Sequence, residues 1–153
     1  MFEKFTNEQA AKPYSKDTGE LLTELKAEKH VENFLSRNQS EIMLPLPEYL
    51  EKILSEKNLS KADVIKRSGL NREYAYHIFS GTRNPSRQKI LALSLAMNLN
   101  LDETQRLLRH AQQNLLYPRN EWDAILISAV EKNLSVMETN ALLHQLGEET
   151  FLD

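Results

Sequence analysis

Apolar residues recur at helical spacing along most of this chain, and no stretch alternates with period two over the length of a strand. Leu21, Leu22 and Leu25 form a first cluster after Asp17 or Thr18 as N-cap, and Val31, Phe34 and Leu35 form a second beyond the charged KAEKH. One interrupted helix, or two short ones, is expected over residues 18–37. The following SRNQSEIMLPLP reads as a connector, because Pro45 and Pro47 stop any helix before them. Pro47 then opens PEYLEKILSEK, with Tyr49, Leu50, Ile53 and Leu54 as its apolar stripe.

From there the punctuation is regular. Ser60 caps KADVIKR, with Asp63 in a capping-box position, and Gly69 ends that short helix. Asn71 caps REYAYHIFS, which Gly81 closes; Ser86 caps RQKILALSLAMN; Asp102 caps ETQRLLRHAQ. A loop around LYPRN leads to EWDAILISAVEK, and Ser135 caps VMETNALLHQL, closed by Gly147. The pentad EKNLS occurs at 56–60 and again at 131–135. Each copy reads as a joint: a charged last turn, Asn where the helix stops, Leu turned inward, Ser capping the next helix. The expectation is an all-α chain with an N-terminal helical extension over 1–45, a five-helix domain over 46–111 and a C-terminal helix pair over 112–153 packed on it.

Composition narrows the function classes. A chain of 153 residues, 41% hydrophobic, with four Gly and five Pro, is long enough to bury a core. No apolar run approaches the roughly 18 residues of a membrane span, and MFEKFTNEQAAK has neither a signal-peptide core nor an Arg-rich transit pattern. The absence of Cys excludes disulfides, thiolate zinc sites and Cys nucleophiles, and cytoplasmic residence is expected. Residues 1–16 show no period, and Phe2, Phe5 and Phe151 read as terminal anchors.

The formal net charge of −3 argues against a nucleic-acid partner, but its distribution argues for one. Between residues 60 and 90, Lys61, Lys66, Arg67, Arg72, Arg83, Arg87 and Lys89 face only Asp63 and Glu73. A basic island in an acidic chain points to a localised anionic partner. Within it, two short helices meet at the tight turn Ser68-Gly69-Leu70, the geometry that lets a second helix project into a major groove.

The helix ending in Gly69, the step from Gly69 to Gly81, the GTRNPS loop and LALSLAMNLNLDETQRLL resemble the DNA-binding domain of the XRE family, the Cro and phage-repressor type. With PEYLEKILSEK the resemblance covers 46–111. It implies a five-helix repressor-like domain, double-stranded DNA as partner, and a homodimer on two half-sites. Arg72, Glu73, Tyr76 and His77 fall on the outward positions of its recognition helix and are expected to read bases. Lys61, Arg83, Ser86 and Arg87 are expected at phosphate. Ile65 stands where the family keeps Ala, and Ala75 where it keeps a branched residue, a compensating exchange of core volume. The bland alternative is a retained fold whose outward surface serves a protein partner, as in a non-enzymatic adaptor.

Other candidates carry less. His30, His110 and His144 have no metal spacing, Trp122 precedes the apolar AILISAV and reads as core, and no phosphate-binding Gly motif or Ser/His/Asp arrangement is present. No catalysis, cofactor, membrane or small-molecule ligand is expected. After the second EKNLS the chain is acidic and offers Val136, Leu142, Leu143 and Leu146 as an apolar face, suited to packing and to a dimer contact rather than to phosphate.

Overall fold

The computed structural model describes residues 14–151, and every regular element among them is helical. Helix α1 spans Thr18–Ala27 and α2 Val31–Arg37, followed by a 3-10 turn at Gln39–Glu41. Then come α3 (Leu46–Glu56), α4 (Lys61–Ser68), α5 (Arg72–Ser80), α6 (Arg87–Ala96), α7 (Leu101–His110), α8 (Glu121–Glu131) and α9 (Val136–Gln145). Among the described residues no helix is long and apolar enough to cross a membrane. The aperiodic reading of residues 1–13 and the anchors Phe2 and Phe5 lie outside the described residues. The chain divides into two compact units, one ending at Met43 and one running from Leu44.

In the first unit the charged KAEKH separates two helices. A capping box between Asp17 and Glu20 starts α1, which buries no residue, and α2 buries Phe34. Polar contacts hold the pair. The Glu24 carboxylate accepts from Lys16 Nζ at 2.9 Å, Arg37 Nε at 3.0 Å and Asn38 Nδ2 at 2.8 Å. Glu41 accepts from Ser15 Oγ at 2.6 Å and from the Lys16 backbone N–H at 3.0 Å. Asn38, Lys16 and Arg37, in that order of effect, pull the Glu24 carboxyl from 4.5 down to about 2.

The second unit is built from short helices with defined ends. Leu46 precedes Pro47 in the first turn of α3, so the helix opens one residue before that proline. Helix α7 starts at Leu101 with Asn100 as its cap, not at Asp102. The Asn100 side chain accepts from the Glu103 backbone N–H while the Glu103 side chain accepts from that of Asn100, and Asp102 sits inside the turn, where its charge faces the positive helix end. Gly69 and Gly81 end α4 and α5 in the left-handed region, at φ 73° and 88°. At Gly81 a Cβ would stand 2.9 Å from Pro47 Cγ, so the end of α5 lies directly against the start of α3.

Both EKNLS segments are the same joint. Asn58 and Asn133 adopt φ 55°, and the next leucine donates its N–H back to Leu54 (2.8 Å) and Ala129 (3.0 Å) respectively, as in a Schellman ending. Asn98-Leu99-Asn100 is a third copy, with Asn98 at φ 57° and Leu99 bonded to the Ser94 carbonyl at 3.2 Å.

One core runs through the second unit. Helix α6 is buried at every position from Ile90 to Ala96, and Leu50, Val64, Ile78, Leu107 and Leu108 join the same cluster as Leu126, Val136 and Leu143 of the C-terminal pair. Ile65 and Ala75 both lie inside it, which fits the exchange of volume between α4 and α5. Trp122 packs against this core, meets Phe151 edge-on at 5.8 Å and donates Nε1–H to the Glu149 carbonyl, and Phe151 is buried as an anchor. His110 is buried too, stacked on Tyr49.

Candidate nucleic-acid interface

The turn between α4 and α5 is closed from within. The buried Ser68 hydroxyl donates to the Ile65 carbonyl at 2.7 Å and accepts from the Leu70 N–H at 3.2 Å. Asn71 caps α5 by accepting from the Tyr74 N–H at 3.0 Å. Because Ala75, Ile78 and Phe79 face the core, the helical period turns Arg72, Glu73, Tyr76 and His77 outward. With Asn71 those four side chains line one shallow open depression. The Arg72 guanidinium lies over the Tyr76 ring, 5.5 Å from its centroid, a cation–π contact that holds the planar group at the surface.

The loop after α5 is pinned to the helix end. The His77 carbonyl accepts from the backbone N–H groups of Gly81, Thr82 and Arg83 at 3.0–3.3 Å. Arg83 and Lys89 both approach the Tyr74 ring, at 5.8 and 5.4 Å. Sequence reasoning counted Lys89 in the basic island without giving it a role at the site, and passed over Tyr74. A signal existed for Lys89: it stands in the first turn of α6, where the helix dipole disfavours a cation.

The four residues expected at phosphate are differently placed. Arg83 is exposed in the loop, and Ser86 is exposed as the cap of α6. Lys61 forms an ion pair with Glu51 of α3 and lies 5.4 Å from the Phe79 ring centroid. Arg87 is engaged by Asp123 and the carbonyls of Asn114 and Leu115. Arg67, another member of the basic island, donates Nε–H to the Ala96 carbonyl and closes the end of α6. Among the described residues no carboxylate pairs with Arg72, Arg83 or Lys89. No group of three His, Asp or Glu side chains that could hold a metal converges among them either.

Residues 50–103, from the middle of α3 into the first turn of α7, match the family model described as Helix-turn-helix. No curated protein and no solved structure matches the chain. The match covers α4, its turn and α5, and this segment of the chain is a helix-turn-helix domain of the XRE type, a family of DNA-binding domains.

Proposed function

We propose that the chain is a sequence-specific DNA-binding protein, a transcriptional regulator of the bacterial type, that reads the major groove with α5. The observation that carries this reading is the trio Arg72, Arg83 and Lys89, cations without carboxylate partners among the described residues, around the outward side of a helix whose inner face is buried. Arg72 suits bidentate pairing with guanine O6 and N7, and Glu73 suits cytosine N4, each contact contributing about 1–3 kcal/mol of discrimination. Arg83, Lys89 and Ser86 suit phosphate. Lys61 joins them by exchanging Glu51 for a phosphate oxygen, since an exposed ion pair of this kind is worth little in water.

Selection from random duplexes with the full chain tests the reading. The expected outcome is an enriched site containing a G·C pair whose preference is lost in Arg72→Ala. Arg83→Ala and Lys89→Ala should weaken all sequences alike and each reduce the slope of log affinity against log salt by about one. A selection that enriches nothing, together with affinity indifferent to salt, would leave this surface to a protein partner.

A further inference from the structure

Arg87 is the first residue of α6, immediately after the loop that carries Arg83 and Ser86, yet its guanidinium is taken up by Asp123 of α8 and by the segment joining α7 to α8. Nη1 donates to Asp123 Oδ1 at 3.0 Å, Nη2 to Asp123 Oδ2 at 2.8 Å and to the Leu115 carbonyl at 2.9 Å, and Nε to the Asn114 carbonyl at 2.8 Å. Asp123, 6% exposed at the start of α8, also accepts the Tyr117 backbone N–H at 2.9 Å. Alongside, Gln113 Nε2 donates to the Pro85 carbonyl at 3.3 Å. Gln105 of α7 grips the Leu116 backbone from both sides, at 3.0 and 2.8 Å. The segment joining α7 to α8 is thus fastened to Pro85 and Arg87, the point where the loop enters α6.

A planar guanidinium that meets one carboxylate with two bonds and two carbonyls with two more is held in a single geometry. Removing either partner leaves the other a poorly compensated, largely buried charge, which the surrounding backbone must move to relieve. The geometry points to Arg87 as a positioning residue. With Asp123 it fixes the Thr82–Ser86 loop through the C-terminal helix pair, so that affinity for DNA depends on that pair being docked. Ordering the loop in advance removes an entropic cost from binding. This inference rests on the DNA reading for its consequence, but the fastening itself is testable without DNA.

Two measurements on the full chain decide it. In the free protein, Asp123→Ala should raise amide exchange over residues 82–89 about tenfold or more, the scale of a lost hydrogen bond to a charged group. Exchange in α4 should stay as it was; unchanged exchange at 82–89 would overturn the proposal. On duplex DNA, Arg87→Ala and Asp123→Ala should weaken affinity to a similar degree, the double variant should be no worse than either single one, and the salt slope should be kept. The opposite pattern, a slope reduced by about one in Arg87→Ala and tighter binding in Asp123→Ala, would make Arg87 a phosphate contact and sink the idea. Asp123→Asn, which keeps the side-chain shape, replaces Asp123→Ala if circular dichroism finds the latter unfolded. If the unsubstituted chain retained no duplex, the DNA reading would fall and the exchange data would still decide the fastening.

Discussion

His110 lies flat against Tyr49, ring centroids 3.6 Å apart, with Nδ1 3.0 Å from the Leu44 carbonyl oxygen. Burial holds its imidazole below the usual 6.5, and the charges of Lys52, Arg109 and Arg106 act in the same direction against the bond to Leu44. The unfolded chain therefore binds this proton more readily than the folded one. Stability is fully present above pH 6.5 and falls as pH drops through the lowered folded value. His110→Phe keeps the stack and should remove this part of the pH dependence, read as a flatter plot of Tm against pH between neutral and mildly acidic buffers. At Gly81 two separate demands meet, a left-handed backbone and the Pro47 ring where a Cβ would stand. Gly81→Ala should cost about 2–4 kcal/mol, strain and overpacking together, measured as a shift in urea midpoint. A loss within ordinary surface scatter would mean that the α3–α5 approach yields.

Element ends were the most legible part of this sequence, because each is a local bargain between a few neighbouring residues. Ser60, Asn71, Ser86 and Ser135 all cap the helices that follow them, and each accepts from the backbone N–H three residues on. Helix α7 shows why two cap-capable residues close together mislead: Asn100 wins over Asp102 because Glu103 answers it, and the N-x-x-E spacing was there to be read. The Asn-Leu joint recurs without its charged prefix at 98–99, so the pentad was a narrower signature than the physics required. Asn98→Ala should lose about 1–2 kcal/mol, because Ala lacks the tolerance of asparagine for φ 57°, whereas Asn98→Gly should fold normally, both by chemical denaturation. The outward face of α5 could be read from its period alone. The direction of Arg87 could not, since the carboxylate that captures it lies 36 residues downstream and no local pattern announces it. The same holds for Tyr74, whose two cations come from the next loop and the next helix.

At the scale of the whole molecule the two units rest on different physics. The second is organised by a continuous apolar core, the first by carboxylates bound to donors. Glu24 sits at about 2, and Glu28 and Glu41 are also lowered by their hydrogen bonds. These groups stabilise the first unit above pH 4.5, and that contribution is lost as pH falls from there toward 2. Amide chemical shifts of residues 18–37 should collapse on acidification in that window, and Asn38→Ala, lacking the largest contributor to the Glu24 shift, should collapse at higher pH. Shifts that persist to pH 2 would remove the carboxylates from the account. On DNA, two copies are expected on half-sites about 34–36 Å apart, as two-fold pairing of such domains requires. Light scattering that finds one chain per duplex would exclude it. The segregation of charge also fixes how the molecule behaves before any contact. The chain has a net charge of −3, and of the seven cations at residues 60–90 Lys61 and Arg87 are met by Glu51 and Asp123, so Arg72, Arg83 and Lys89 form a local positive patch around α5. Near neutral pH and at low salt it should be retained by both anion and cation exchangers, the first through its net charge and the second through that patch. Approaching any polyanion it turns that patch forward first.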